Sequence, residues 1–317
     1  MYAISVENLS KQFGDIRALD SVSFTVAEGE VFGYLGPNGA GKTTTIRILT
    51  GITAPTTGSA RIFDLDITRE TIRARRKMGI VYETSNVYDD LTAWQNMMFA
   101  GELYNVGKSA REERGRELLE IFGLWERRQS RVKTYSKGMK RRLTLAMGLI
   151  NDPRLLFLDE PTSGLDVQSN LIIREVLHDL TGRGVTVFLT THNIEEANVT
   201  CDRVAIINKG RIAAIDSPER LKKAIQSVQS VEIAFERGST EAFADLRDLP
   251  MVSEARREGD KIRLYTADPA SLLETISAYA ESRHNRVMSV TTLGPTLEDV
   301  FIRLTGLSHG KNGGNPP

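Results

Sequence analysis

Short, nearly continuous apolar runs alternate along the first two thirds of the chain with segments whose apolar residues recur every three or four positions. Val26 to Leu35 contains one such run bounded by glycines, and the stretch beginning at Lys42 is helical in pattern, with Ile46 and Leu49 three apart. Arg154 to Leu158 and Val185 to Thr190 are two further runs of the kind expected for strands covered on both faces. This alternation predicts an α/β core with a mostly parallel sheet.

Two other textures interrupt it. From Asp90 to Lys133 the chain is richly charged and helical in spacing, with Trp94, Met97, Met98, Leu118, Leu119 and Phe122 as its apolar positions. A helical insert over about 90–150 is expected, with these side chains as core; Trp94, Met97 and Met98 are also candidates for the floor of a partner groove. After about Arg220, Val231, Ile233 and Phe235 alternate with polar residues as a half-buried strand does. Ala242 to Leu249 reads as a helix, Ile262 and Leu264 as a strand, and Leu272, Leu273 and Ile276 as another helix. The expected organisation is a first domain over 1–220, a small α/β domain over 221–307 and a frayed tail over 308–317.

Composition narrows the function. The 317 residues carry 41 basic and 41 acidic side chains, so the net charge of zero supplies no bulk attraction to nucleic acid or anionic lipid. The single cysteine, Cys201, forms no internal disulfide and leaves no thiolate cluster for structural zinc, which points to a reducing compartment. No run reaches 18 apolar residues and no signal peptide is expected, so a membrane role would be borrowed from a partner.

Gly36, Pro37, Asn38, Gly39, Ala40, Gly41, Lys42, Thr43 and Thr44 fit the phosphate-loop pattern G-x-x-x-x-G-K-[ST], after an apolar strand and before a helix. Glycines there let successive backbone N–H groups converge on phosphate oxygens, the helix N-terminus adds its dipole, Lys42 reaches the β and γ phosphates, and Thr43 is a magnesium ligand. The run Leu155 to Leu158 ends in Asp159 and Glu160, adjacent carboxylates suited to Mg²⁺ binding and to general-base activation of water, respectively. A nucleoside triphosphate and Mg²⁺ are the expected substrate and metal.

With these motifs in order, the chain resembles the nucleotide-binding subunits of ATP-binding cassette (ABC) transporters over roughly 1–220. The resemblance implies ATP as the nucleotide and a phosphate-loop cassette with an antiparallel β edge region. Tyr135, Ser136, Lys137, Gly138 and Met139 occupy the place of the family signature, most often Leu-Ser-Gly-Gly-Gln. In the family this loop caps ATP held by the opposite subunit, which implies a head-to-tail pair of copies. Ser163 to Asp166 resembles the loop through which the subunits sense each other, His192 the switch histidine, and Phe13 the ring that stacks on adenine. Glu83 stands where the family has a glutamine that helps ligand magnesium and relays motion to the membrane partner.

Two signature positions also depart: Tyr135 replaces leucine and Lys137 replaces glycine. Lysine takes a positive φ less readily than glycine, so a left-handed turn at 137 would be strained. The run Arg127, Arg128, Arg131, Lys133, Lys137, Lys140, Arg141 and Arg142 reads as a solvated basic face, an ATP-gathering patch or a surface for an acidic partner. This variant signature, with Thr296-Leu297-Glu298-Asp299-Val300-Phe301 near the end, is similar to ATPases serving ABC-2 type exporters with separate permeases, among them drug and antibiotic systems. That implies a multi-span permease as partner, a position on the cytoplasmic side of the membrane and no direct nucleic-acid contact. Two other readings use the same motifs: a soluble cassette ATPase acting on ribosomes or nucleic acid, and a regulatory subunit that binds ATP with little hydrolysis.

Overall fold

The computed structural model describes residues 1–84, 86–224, 229–237 and 239–306; the expected tail over 308–317 lies outside them. The chain divides into two units, Met1–Pro218 and Glu219–Pro317.

The first unit opens with a long antiparallel hairpin, β1 (Tyr2–Phe13) and β2 (Ile16–Ala27), followed by β3 (Val31–Leu35) and α1 (Lys42–Leu49). Next come β4 (Thr57–Ile62), β5 (Leu65–Asp66), α2 (Thr71–Arg75) and β6 (Met78–Val81). The helical stretch is α3 (Ala93–Leu103), α4 (Lys108–Ile121) and α5 (Lys137–Gly148), and β7 (Leu155–Asp159), α6 (Val167–Gly182), β8 (Thr186–Thr191), α7 (Ile194–Thr200), β9 (Arg203–Asn208) and β10 (Arg211–Asp216) complete the unit. Strand order in the main sheet is β10-β9-β3-β8-β7-β6, and every pair is parallel except β10 with β9. A second, antiparallel sheet runs β2-β1-β4-β5. The two sheets share one core, in which Phe24 of β2 stacks on Phe32 of β3 and on Phe188 of β8, with ring centroids 5.5 and 5.9 Å apart.

Strands β3, β7 and β8 are buried at every position, which is why their sequences are continuous rather than alternating. Their carboxyl ends come into register, Leu35 beside Thr191 and Asp159 beside Thr190, and all three loops that carry candidate chemistry leave from that edge. Close packing fixes the sheet from behind. At Gly33 an added Cβ would fall 2.6 Å from Sγ of the buried Cys201, so β3 has no room there for a side chain.

In the helical stretch, Thr92 and Gln95 form a reciprocal capping box at the start of α3, and the fully buried Asn96 bonds the backbone of Tyr88 and Thr92. Met97 is fully buried and Trp94 meets Trp125 edge to face at 5.9 Å. Met98 packs on Gly115 of α4, where an added Cβ would lie 2.8 Å from its methyl. These side chains pack between helices, Trp94 and Met98 staying partly exposed; Tyr88 and Phe99 are a more exposed apolar pair, in edge contact at 5.1 Å.

The second unit begins inside α8 (Pro218–Lys223) and contains β11 (Gln229–Phe235), α9 (Ser239–Arg247), β12 (Glu254–Glu258), β13 (Lys261–Thr266), α10 (Pro269–Ser282), β14 (Val287–Leu293) and α11 (Leu297–Thr305). Its antiparallel sheet has the order β12-β13-β11-β14. Val231, Ile233 and Phe235 of β11 share a core with Leu246 of α9 and with Leu272 and Ile276 of α10. The expected half-buried strand is in fact covered on both faces, because Ser230 and Ala234 are buried as well. Ser230 accepts a hydrogen bond from Arg263, and Arg263 and Tyr265 both reach Asp299 of α11. Among the described residues no helix is long and apolar enough to cross a membrane.

Candidate nucleotide site

The loop between β3 and α1 is shaped by two close approaches and a left-handed turn. A Cβ at Gly36 would lie 2.4 Å from the Ile207 carbonyl oxygen; at Gly41, where φ is 110°, it would lie 2.7 Å from that of Ala18. Gly39 also has positive φ, at 79°. Helix α1 has Gly41 as its N-cap residue, so no side chain caps its first turn and the dipole end faces the loop. Lys42 is buried, and its Nζ donates to the carbonyl oxygens of Gly36 at 2.7 Å and Pro37 at 3.2 Å.

At the end of β7, Asp159 accepts a 2.5 Å bond from the Thr190 hydroxyl, and the next residue turns sharply, with Glu160 at φ 49°. Glu160 is buried and splits its carboxylate between two partners. Oε1 lies 3.2 Å from Lys42 Nζ, an ion pair without hydrogen-bond geometry, and Oε2 lies 2.8 Å from Nδ1 of the half-exposed His192. The three expected catalytic residues, Lys42, Glu160 and His192, are thus in mutual contact through one carboxylate.

A cavity of about 380 Å³ opens over them. Asn38, Gly39, Gly41, Lys42, Thr43 and Thr44 form its floor, and Glu83, Glu160 and His192 stand on its wall. A neighbouring cavity of about 410 Å³ is lined by Thr43, Glu83 and Asp159, so the three expected metal ligands share one opening. A hydroxyl and two carboxylates are a hard oxygen set that suits Mg²⁺, and a lysine beside an uncapped helix end suits phosphate.

Other assigned residues lie apart from the opening. Gly36, Pro37 and Ala40 shape the loop without lining the cavity. Phe13 is about half exposed, with Lys11 Nζ 4.8 Å from its ring centroid, and it is not on the cavity wall; Ile16, Arg17 and Ala18 are, together with Ser163. Sequence reading misses Ile16, Arg17 and Ala18, which only their closeness to Phe13 could flag, and it places Ser163 in the subunit-sensing loop and not at the cavity.

Ser136, Lys137, Gly138, Met139 and Asp166 form a cluster of their own. Ser136 caps α5 by accepting from the Met139 N–H at 3.2 Å, and Asp166 caps α6 by accepting from the Ser169 N–H at 2.8 Å. These Ser169 bonds, backbone first, hold the Asp166 carboxyl below its usual range. Gly138 is required by this packing, since a Cβ would fall 2.3 Å from Ser169 Oγ. Lys137 is the first residue of α5 and does not have positive φ, so the strain expected there is absent. Its amine lies over Gly164, where a Cβ would come within 2.3 Å of it. Tyr135 is buried and donates to the Arg127 carbonyl at 2.7 Å. The basic run is not a uniform solvated face either: Lys140 pairs with Asp89 at 2.7 Å, Arg128 stacks on Trp125, and Arg141 is buried.

A phosphate loop, a histidine just past the end of the neighbouring parallel strand β8 and an acidic pair at the end of β7, the strand beyond it, define a phosphate-loop nucleoside triphosphatase. Comparison with known proteins narrows this. Residues 19–163 match the family model described as ABC transporter. Over 304 residues the chain is 39% identical to Nod factor export ATP-binding protein I of Rhizobium sp. (strain N33), covering 96% of this chain and 97% of that one. It is 35% identical over 306 residues to linearmycin resistance ATP-binding protein LnrL of Bacillus subtilis (strain 168), covering 96% and 98%. Among solved structures, a dimeric ATP-binding cassette in a post-hydrolysis state with ADP and Pi is 27% identical with a TM-score of 0.63, covering 68% of this chain and 98% of that one. The chain belongs to the ATP-binding subunits of ABC transporters, and it is an ATPase.

Proposed function

We propose that the chain hydrolyses MgATP as one of two head-to-tail copies and thereby drives export through a separately encoded multi-span permease on the cytoplasmic face of the membrane. The observation that carries the reading is the Lys42–Glu160–His192 contact at the mouth of the phosphate loop. Resemblance along nearly the whole chain to proteins named for Nod factor export and linearmycin resistance supports the export direction.

Thr43, Asp159 and Glu83 would hold Mg²⁺, which would supply charge neutralisation to the phosphates. The chain's own groups do the rest. Lys42 holds the β and γ phosphates, an exchange that releases Glu160 Oε1 from its ion pair. Glu160 accepts the proton of the attacking water, and His192 keeps the carboxylate aimed through Oε2. Ser136 and the N-terminus of α5 close the site of the second copy, which explains why they stand apart from the cavity of their own chain. The exposed Tyr88 and Phe99 offer apolar contact to the permease.

Two measurements test this. Purified protein should hydrolyse ATP at a rate that Glu160→Gln lowers by about 10²-fold or more, and equal near-zero rates in both would leave only ATP binding. Pull-down of the tagged chain from detergent-solubilised membranes should recover a stoichiometric multi-span protein; recovery with ribosomes or nucleic acid instead would overturn the transport reading.

A further inference from the structure

Arg141 sits on α5, two residues past Met139, with 4% of its surface exposed. Its guanidinium is bound by main-chain carbonyls alone. Nε donates to Pro161 at 2.9 Å; Nη2 donates to Asp159 at 2.8 Å and Glu160 at 3.0 Å; Nη1 donates to Glu83 at 3.2 Å and also to Tyr82. Five N–H groups meet five carbonyl oxygens, the full donor capacity of arginine.

Tyr82 and Glu83 lie in the loop after β6, Asp159 ends β7, and Glu160 and Pro161 begin the loop after it; these two segments carry Glu83 and Glu160 into the cavities. Glu160 needs an external hold, because its φ of 49° lies in a region that residues with a Cβ avoid. Carbonyls on both sides of the Glu160–Pro161 bond, and the one before Glu160, are all tied to the same planar fork. Burial holds the Arg141 pKa below its ordinary value, and the carboxylates of Asp159, Glu196, Glu83 and Glu160 around it oppose that by favouring the charged form.

We propose that Arg141 is a positioning residue for hydrolysis: it locks the left-handed turn at Glu160 and the Tyr82–Glu83 backbone to the start of α5, so that it sets turnover rather than nucleotide affinity. The proposal rests on Glu160 being the base, and it adds a mechanical link from the signature helix of a chain to that chain's own carboxylate. Lysine keeps the charge but has three donors and no fork, so it cannot serve both loops.

The test uses the full-length chain with Arg141→Lys and Arg141→Gln. Expected is a fall in kcat of about 10- to 100-fold, the size of effect that a misplaced reacting group produces, with KM for ATP and the Kd of a fluorescent ATP analogue within about threefold of wild type. Hydrogen exchange should quicken in peptides covering 80–84 and 158–163 and stay unchanged elsewhere. In single turnover, Arg141→Lys added to Glu160→Gln should cause no further loss. Full kcat in Arg141→Lys, unchanged exchange at those two loops, or a joint loss of nucleotide binding and of protection throughout the chain would each overturn the proposal. Were wild type to show no Glu160-dependent hydrolysis, the reading of Glu160 would fail first, and the exchange data alone would decide whether Arg141 holds the loops.

Discussion

Each unit buries a charged cluster, and the two clusters differ in completeness. In the second unit, Asp299 is met by Arg263 at 3.4 Å, by the Tyr265 hydroxyl at 2.8 Å and by Thr296 at the start of its own helix, while Arg263 also reaches Ser230. Both oxygens of that carboxylate have hydrogen-bond donors. In the first unit, Glu160 has one oxygen with no hydrogen bond, a backbone in a disfavoured region and a cavity in front of it. Burial of charge alone therefore does not mark a reactive centre. What marks it is a buried charge whose partnering is left unfinished where a ligand can enter.

The sharpest way to break this contrast is Glu160→Gln. Removing the base should lower kcat by about 10²- to 10⁴-fold while ATP binding persists, as read by phosphate release and by nucleotide titration. Next in size is Asp299→Ala, which strips the partner from the buried Arg263. A loss of about 3–5 kcal/mol is expected in the second unit, seen as an earlier urea transition, with kcat of the folded protein within about twofold. A smaller effect is expected of His192→Ala, since the half-exposed ring aims Glu160 and does not take the proton. A drop in kcat of about tenfold, with KM little changed, would separate it from the base.

The smallest effect concerns pH, where Glu196 of the first unit and Asp299 of the second should contribute with opposite sign. Burial pushes Glu196 above its ordinary 4.5, with bonds from Thr191 and Thr162 opposing and Glu160 adding to the rise. The folded first unit then holds that proton more tightly than the unfolded chain, so its stability declines as pH rises above 4.5, and Glu196→Gln should flatten that slope. Burial also pushes Asp299 upward, but the Thr296 N–H and hydroxyl, the Tyr265 hydroxyl and Arg263 outweigh it and hold the carboxyl below its ordinary 3.8. Its contribution is fully present above 3.8 and is lost as pH falls through the lower folded value. Unfolding transitions followed from pH 7 to pH 3 should show the first unit of wild type gaining on that of Glu196→Gln as pH falls, and the second unit losing its advantage over that of Asp299→Ala only at the acid end.

Chemistry carried by contiguous residues is legible in the sequence alone. The phosphate loop, the Asp159–Glu160 pair and His192 each sit at a strand end whose apolar run announces it, and their convergence follows from a parallel sheet. Arg141 is not legible, because a basic run on a helix looks alike whether solvated or buried, and its partners lie 18 to 59 residues away. Met97 is open to misreading for the same reason: an apolar helix position does not say which neighbour covers it. The alternation in β11 suggests one wet face because Ser230 and Glu232 are polar, yet Ser230 is buried beneath the Arg263 bond. Lys137 looks strained only through comparison with glycine; as the first residue of a capped helix it has ordinary backbone.

The thiol of Cys201, wedged against Gly33 behind the central strand, has a further use. Burial raises its pKa well above 9.0, so in the folded chain it is not ionised near neutral pH and is slow to meet an alkylating reagent. Since it is the chain's only cysteine, the rate at which such a reagent consumes it is a stopwatch for the opening of α7 from β3. Run with and without MgATP, that stopwatch would read how firmly nucleotide clamps the back of the sheet, with no label engineered into the molecule.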